Sequence, residues 1–156
     1  MKLKRIIAAC QILLCIAVVL FFLLKCFVID VYGSYTWKYT GFEAYLGQGS
    51  KFKPSVGGVM ILIFLGIVVV SSTLKIFLPK LSLIWNIINV FFLMFVFIFL
   101  CAGTNQFMIN STQNIIEKYE DIADIKLGAG AILGIITTFI CASASVAEEI
   151  ITRKIK

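Results

Sequence analysis

Four long runs of apolar residues alternate along this chain with segments rich in Gly, Tyr, Lys and Asp. The first covers residues 6–29 and is interrupted only by Gln11 and Lys25; the others cover residues 56–74, 81–102 and 127–147. At about 1.5 Å per residue, a helix of about 20 residues crosses the roughly 30 Å of bilayer hydrocarbon. The pattern predicts an all-α membrane protein, a four-transmembrane-helix bundle forming one domain over residues 1–156. Outer loops at residues 30–55 and 103–126 would form a small cap. Lys2, Lys4 and Arg5 precede the first run as they would in a secretory leader, but the run is longer than a leader's apolar core, so it reads as a true span.

Polar and small residues inside the runs mark the faces expected to pack. Gly130, Gly134, Thr138 and Ala142 recur at four-residue steps in the fourth run, a ridge of minimal side chains that permits close helix approach; Gly66 offers a similar small position in the second run. Asn86 and Asn89 are three residues apart on the third run and so share a face. An unpaired amide is costly in hydrocarbon, so that face is expected to look into the bundle. Phe91, Phe92, Phe95, Phe97 and Phe99 surround the same helix, as suits contact with lipid. Lys75 and Lys80 fall in the short connection at residues 75–80, and Glu148 and Glu149 follow the fourth run. All four are expected in solvent at helix ends, leaving no carboxylate at mid-membrane to relay protons.

In the first loop, Tyr35, Trp37 and Tyr39 alternate at period two, which predicts a short β segment with its aromatic side chains on one face. In the second loop, Ile115, Tyr119, Ile122 and Lys126 recur at helical spacing among Glu117, Glu120, Asp121 and Asp124, which predicts an amphipathic helix running into span four. Trp37, Tyr39, Phe42 and Tyr119 are the candidate outer recognition residues. The basic first loop and acidic second loop would complement one another.

Composition narrows the function. Of 156 residues, 61% are hydrophobic and 14% charged, and the mean hydropathy is +1.04. The net charge of +6 is spread in twos and threes at the edges of the apolar runs, a pattern that suits membrane topology and not nucleic acid. There is no His, and the five Cys residues show no CxxC spacing. No phosphate-binding loop, nucleophile elbow or metal-ligand cluster occurs, so no catalytic, metal or cofactor residues are assigned and a non-enzymatic protein is expected. Lys2, Lys4, Arg5, Lys75, Lys80, Arg153, Lys154 and Lys156 crowd the termini and the short loop between spans two and three. Positively charged short segments stay inside, which places the N- and C-termini in the cytoplasm.

Trp37 followed by Thr-Gly-Phe-Glu-Ala-Tyr-Leu-Gly at residues 40–47, between the first two spans, resembles small bacterial four-span membrane proteins with a Trp and a Gly-Phe-x-x-Leu-Gly-like first outer loop. The Gly-rich start of span four at residues 128–134 is similar too. The resemblance implies a bacterial plasma-membrane protein and carries no activity. In architecture alone the chain is similar to claudin-like tetraspan proteins, but its first loop lacks the cysteine pair of that family. The expected function is that of a structural or accessory subunit in the lipid bilayer, meeting a membrane-protein or lipid partner through its outer loops. The alternative is a channel or small transporter subunit active as a homo-oligomer, with Asn86, Asn89 and Thr138 on a shared polar path.

Overall fold

The computed structural model describes residues 2–31, 35–47, 54–103 and 123–154. Four long helices form the molecule: α1 (Lys2–Phe21), α3 (Val56–Phe77), α4 (Ser82–Cys101) and α5 (Ala129–Lys154). All four are long and apolar enough to cross a membrane. They lie in a ring in which α1 packs on α3 and α5, and α4 packs on the same two. Successive helices alternate in direction, so both termini and the 3-10 turn Pro79–Leu81 share one end of the bundle, here the terminal end.

The other end is capped by a three-stranded antiparallel sheet. Strands β1 (Lys25–Val31), β2 (Tyr35–Thr40) and β3 (Ala123–Leu127) lie in the order β2-β1-β3. Phe27 stands opposite Tyr39 and Leu127, and Ile29 opposite Trp37 and Ile125, so one face is apolar and aromatic. Val28 opposite Lys38 and Lys126, and Asp30 opposite Thr36 and Asp124, form the other face. This alternation is what a half-buried antiparallel sheet requires. The apolar face sits on the bundle: Phe27 and Ile29 are buried, and Trp37, Tyr39, Ile125 and Leu127 pack against the core.

A short helix, α2 (Gly41–Leu46), ties the sheet to α3. Thr40 and Glu43 form a reciprocal cap at its start: the Thr40 Oγ1 accepts from the Glu43 N–H at 3.3 Å, and the Thr40 N–H donates to Glu43 Oε2 at 2.8 Å. Tyr45 is buried beneath the sheet, its ring 5.2 Å from Phe22 and 5.4 Å from Phe27. Two glycines permit the close approach. A methyl at Gly58 would collide with Tyr45, and one at Gly128 would collide with the backbone of Lys25. The Gly128 N–H donates to the Cys26 carbonyl at 2.7 Å, fixing the start of α5 to β1.

Three expectations change. Span one ends at Phe21, not near residue 29, because Lys25-Cys-Phe-Val-Ile-Asp-Val alternates as a strand and belongs to the cap; Lys25 is exposed at its start. Residues 123–127 are strand, so no helix runs unbroken into span four; the helix expected over residues 115–122, with Tyr119, lies outside the described residues. Span two continues through Phe77, which takes Lys75 out of the connection and into α3.

Candidate functional site

Each long helix turns at least one polar side chain into the bundle interior. On α3 the buried positions Ile61, Leu65, Val68, Ser72 and Lys75 follow the helical repeat, so the face that is apolar near the cap becomes polar toward the terminal end. Cys141, Ser145 and Glu148 do the same on α5, Asn86 and Asn89 on α4, and Gln11 on α1. The result is a polar column along the axis of the terminal half.

Lys75 is its centre. Its side chain is fully buried and forms an ion pair with Glu148, itself buried, across the diagonal of the ring. The ammonium also donates to Asn86 Oδ1 at 2.7 Å. An ammonium has no lone pair to offer, so this bond fixes which way the amide points. About one helical turn deeper a second diagonal is bridged. Gln11 Oε1 accepts from Asn89 Nδ2 at 3.4 Å and from Ser72 Oγ at 3.5 Å, while Asn89 Nδ2 donates to Ser72 Oγ at 3.0 Å. Ser71 is bonded to Asn89 Oδ1, and Gln11 Nε2 donates to Ser145 Oγ. Nearer the surface Lys4 Nζ donates to Ser82 Oγ.

Burying these groups in hydrocarbon is costly unless each finds a partner, and the column supplies partners from all four helices. Two atoms have none among the described residues, Asn86 Nδ2 and Glu148 Oε1. Toward the cap the axis closes: Val18, Leu65, Val96 and Leu100 are buried and apolar. Among the described residues the polar column therefore ends against an apolar stretch of the axis.

The structure brings Asn86 and Asn89 together with Gln11, Ser72, Lys75, Ser145 and Glu148. Of these, the ion pair is absent from the sequence reading. Glu148 is not a solvated helix end, and Lys75 is not a loop lysine; the only cue was that both continue the buried helical repeat of their helices. Gly130, Gly134 and Thr138 are buried on α5, and Ala142 is half-buried against the core. A methyl at Gly130 would lie 2.5 Å from the Phe21 carbonyl oxygen and 2.7 Å from Cys26 Sγ, whereas at Gly134 the nearest atom is Leu100 Cδ1 at 3.6 Å. The Thr138 hydroxyl is turned back on the Gly134 carbonyl at 2.8 Å. Gly66, expected at a packing position, is exposed with nothing within 4 Å of an added methyl, so it makes no close helix contact within the chain.

Trp37, Tyr39 and Phe42 are half-buried and turned to the bundle, so these three rings do not make the outward surface of the cap. That surface carries Thr36, Lys38, Asp124 and Lys126, all exposed, with Asp30 half-exposed between them. Lys126 pairs with Asp124 at 3.2 Å and Asp30 at 3.3 Å. The hydrogen bonds it donates to Asp124 and then to Asp30 hold its ammonium above the ordinary lysine range. No group of His, Cys, Asp and Glu able to hold a metal occurs among the described residues. Compared with family models, with curated proteins and with solved structures, the chain matches none.

Proposed function

We propose that this chain is a non-enzymatic structural or accessory subunit of a plasma membrane, with both termini cytoplasmic and the sheet-capped end presented outside to a membrane-protein partner. The observation that carries the reading is the clamped cap. The sheet lies on the bundle through its whole apolar face and is hydrogen-bonded to the start of α5, while its outward face is a compact array of charges. A preorganised polar surface binds without the entropy cost of ordering a loop. The charge asymmetry between the two ends supports the orientation.

Enzyme chemistry gains no support from the buried charges among the described residues, since Lys75 and Glu148 are paired with each other. An oligomeric channel would need Asn86, Asn89 and Thr138 on a face shared between copies. Their side chains are buried inside each bundle, so that reading gains nothing from the geometry.

The test is purification in mild detergent of the wild type and of a Lys38→Glu, Lys126→Glu variant. The wild type is expected to retain a membrane-protein partner in fixed stoichiometry, and the variant to lose it with its unfolding temperature unchanged. A wild type that carries no stoichiometric partner contradicts the proposal.

A further inference from the structure

Cys15 on α1 and Cys141 on α5 are free thiols buried in the bundle interior, 2% and 1% exposed, whereas Cys10 and Cys101 are exposed and Cys26 belongs to the cap. The two helices run antiparallel, and their contacts set a register. Gln11 Nε2 donates to Ser145 Oγ, and one turn nearer the cap on each helix Cys15 stands opposite Cys141. The Cys141 thiol is hydrogen-bonded to Cys15, and its sulfur lies 4.0 Å from the Gln11 carbonyl oxygen. We propose that Cys15 and Cys141 are an oxidation site at which peroxide forms an intramolecular disulfide, a covalent latch between α1 and α5.

The packing favours the bond. A disulfide needs Cα atoms about 4.4 to 6.8 Å apart and sulfurs about 2.05 Å apart, so two helices must approach closely to carry one. Small residues permit that approach here: toward the cap, a methyl at Gly130 of α5 would lie 2.5 Å from the Phe21 carbonyl oxygen of α1. With the thiols already in contact, what remains is a rotation about χ1.

Burial selects the oxidant. Both sulfurs lie in the core cluster that holds Val18 and Leu65, which shuts out charged or bulky oxidants, whereas hydrogen peroxide is small and neutral. One thiol attacks the peroxide, the O–O bond breaks, and a sulfenic acid and one water result. The second thiol then displaces the sulfenic oxygen as a second water, and the S–S bond forms. The two sulfurs give up two electrons, the peroxide takes them, and both thiol protons leave in the waters. The bond closes a loop that contains α3, α4 and the cap, and so restricts the unfolded chain strongly.

The experiment uses the full chain with Cys10, Cys26 and Cys101 replaced by Ala. Membranes holding it are treated with hydrogen peroxide or with oxidised glutathione, dissolved in SDS with N-ethylmaleimide, and the protein is weighed intact. Peroxide should leave a monomer that takes up no maleimide and is lighter by the two thiol hydrogens, while oxidised glutathione should leave both thiols open to the reagent. The oxidised protein should unfold at least about 5 °C above the reduced one, a gain that Cys15→Ala and Cys141→Ala each abolish. Wild type is the second check: digested after peroxide treatment, it should yield a fragment joining Cys15 to Cys141. Two maleimides after peroxide, oxygen added to separate sulfurs without a bond between them, or a disulfide-linked dimer overturns the proposal. So does a bond formed equally by oxidised glutathione, a disulfide with no rise in unfolding temperature, or a wild type that yields no joined fragment.

Discussion

Lys75 is wholly buried in an apolar bundle, where its side-chain nitrogen meets Glu148 and Asn86. Removing one member of such a pair leaves the other without compensation, at a cost of about 3 to 5 kcal/mol, whereas replacing both by apolar groups of similar volume is often nearly neutral. Lys75→Met and Glu148→Leu are each expected to lower stability by that amount, and the double variant to recover most of it. Reversible unfolding of the three proteins in one detergent measures the coupling; additive losses would show that the pair is not bonded as described. The pair was hard to read in the sequence because its members are 73 residues apart and both lie just beyond the apolar runs. The asparagines were easier, since two amides within one apolar run leave few places to go.

At the scale of elements, the glycines separate by what surrounds them. Gly130→Ala puts a methyl against the Phe21 carbonyl and Cys26, and is expected to cost about 1 to 3 kcal/mol as an overpacked contact. Gly66→Ala meets open space in a helix interior and is expected to stabilise by about 0.5 to 1 kcal/mol. Unfolding temperatures of opposite sign check the pair of predictions; a loss at Gly66 equal to that at Gly130 would contradict the assigned faces. The four-residue ridge showed the packing face of α5, but one glycine in an apolar run, such as Gly66, carries no sign of which way it points.

The sheet was legible only in part. Alternating aromatic residues revealed β2, whereas β1 was hidden because its apolar residues continue the first run, and β3 because its spacing also fits a helix. The capping pattern Thr40-Gly41-Phe42-Glu43 was a readable signal for α2. Burial of Cys26 within the cap pushes its thiol up to about 11. A variant with Cys26 as its sole cysteine is therefore expected to resist alkylation at pH 8 while folded and to react once denatured in SDS, with alkylation counted by mass. Rapid modification of the folded protein would contradict the docking of β1 on the bundle.

The whole molecule joins two solutions to the problem of satisfying polar groups. In the terminal half, side chains from all four helices bond to one another around the axis, and at the other end backbone groups of three separate segments pair as a sheet. Between them lies an apolar core that includes Val18, Leu65, Val96 and Leu100, and around them a belt of exposed Leu, Ile, Val and Phe suited to a bilayer. The orientation proposed above puts its basic terminal end inside and its sheet outside. In a cysteine-free background, single cysteines replace Lys38 on the outward face of the sheet and Lys154 at the end of α5, both exposed. Intact cells are treated with a maleimide that cannot cross membranes. The account predicts labelling at position 38 in intact cells and at position 154 only after permeabilisation; labelling of both from outside, or of position 154 alone, would contradict it.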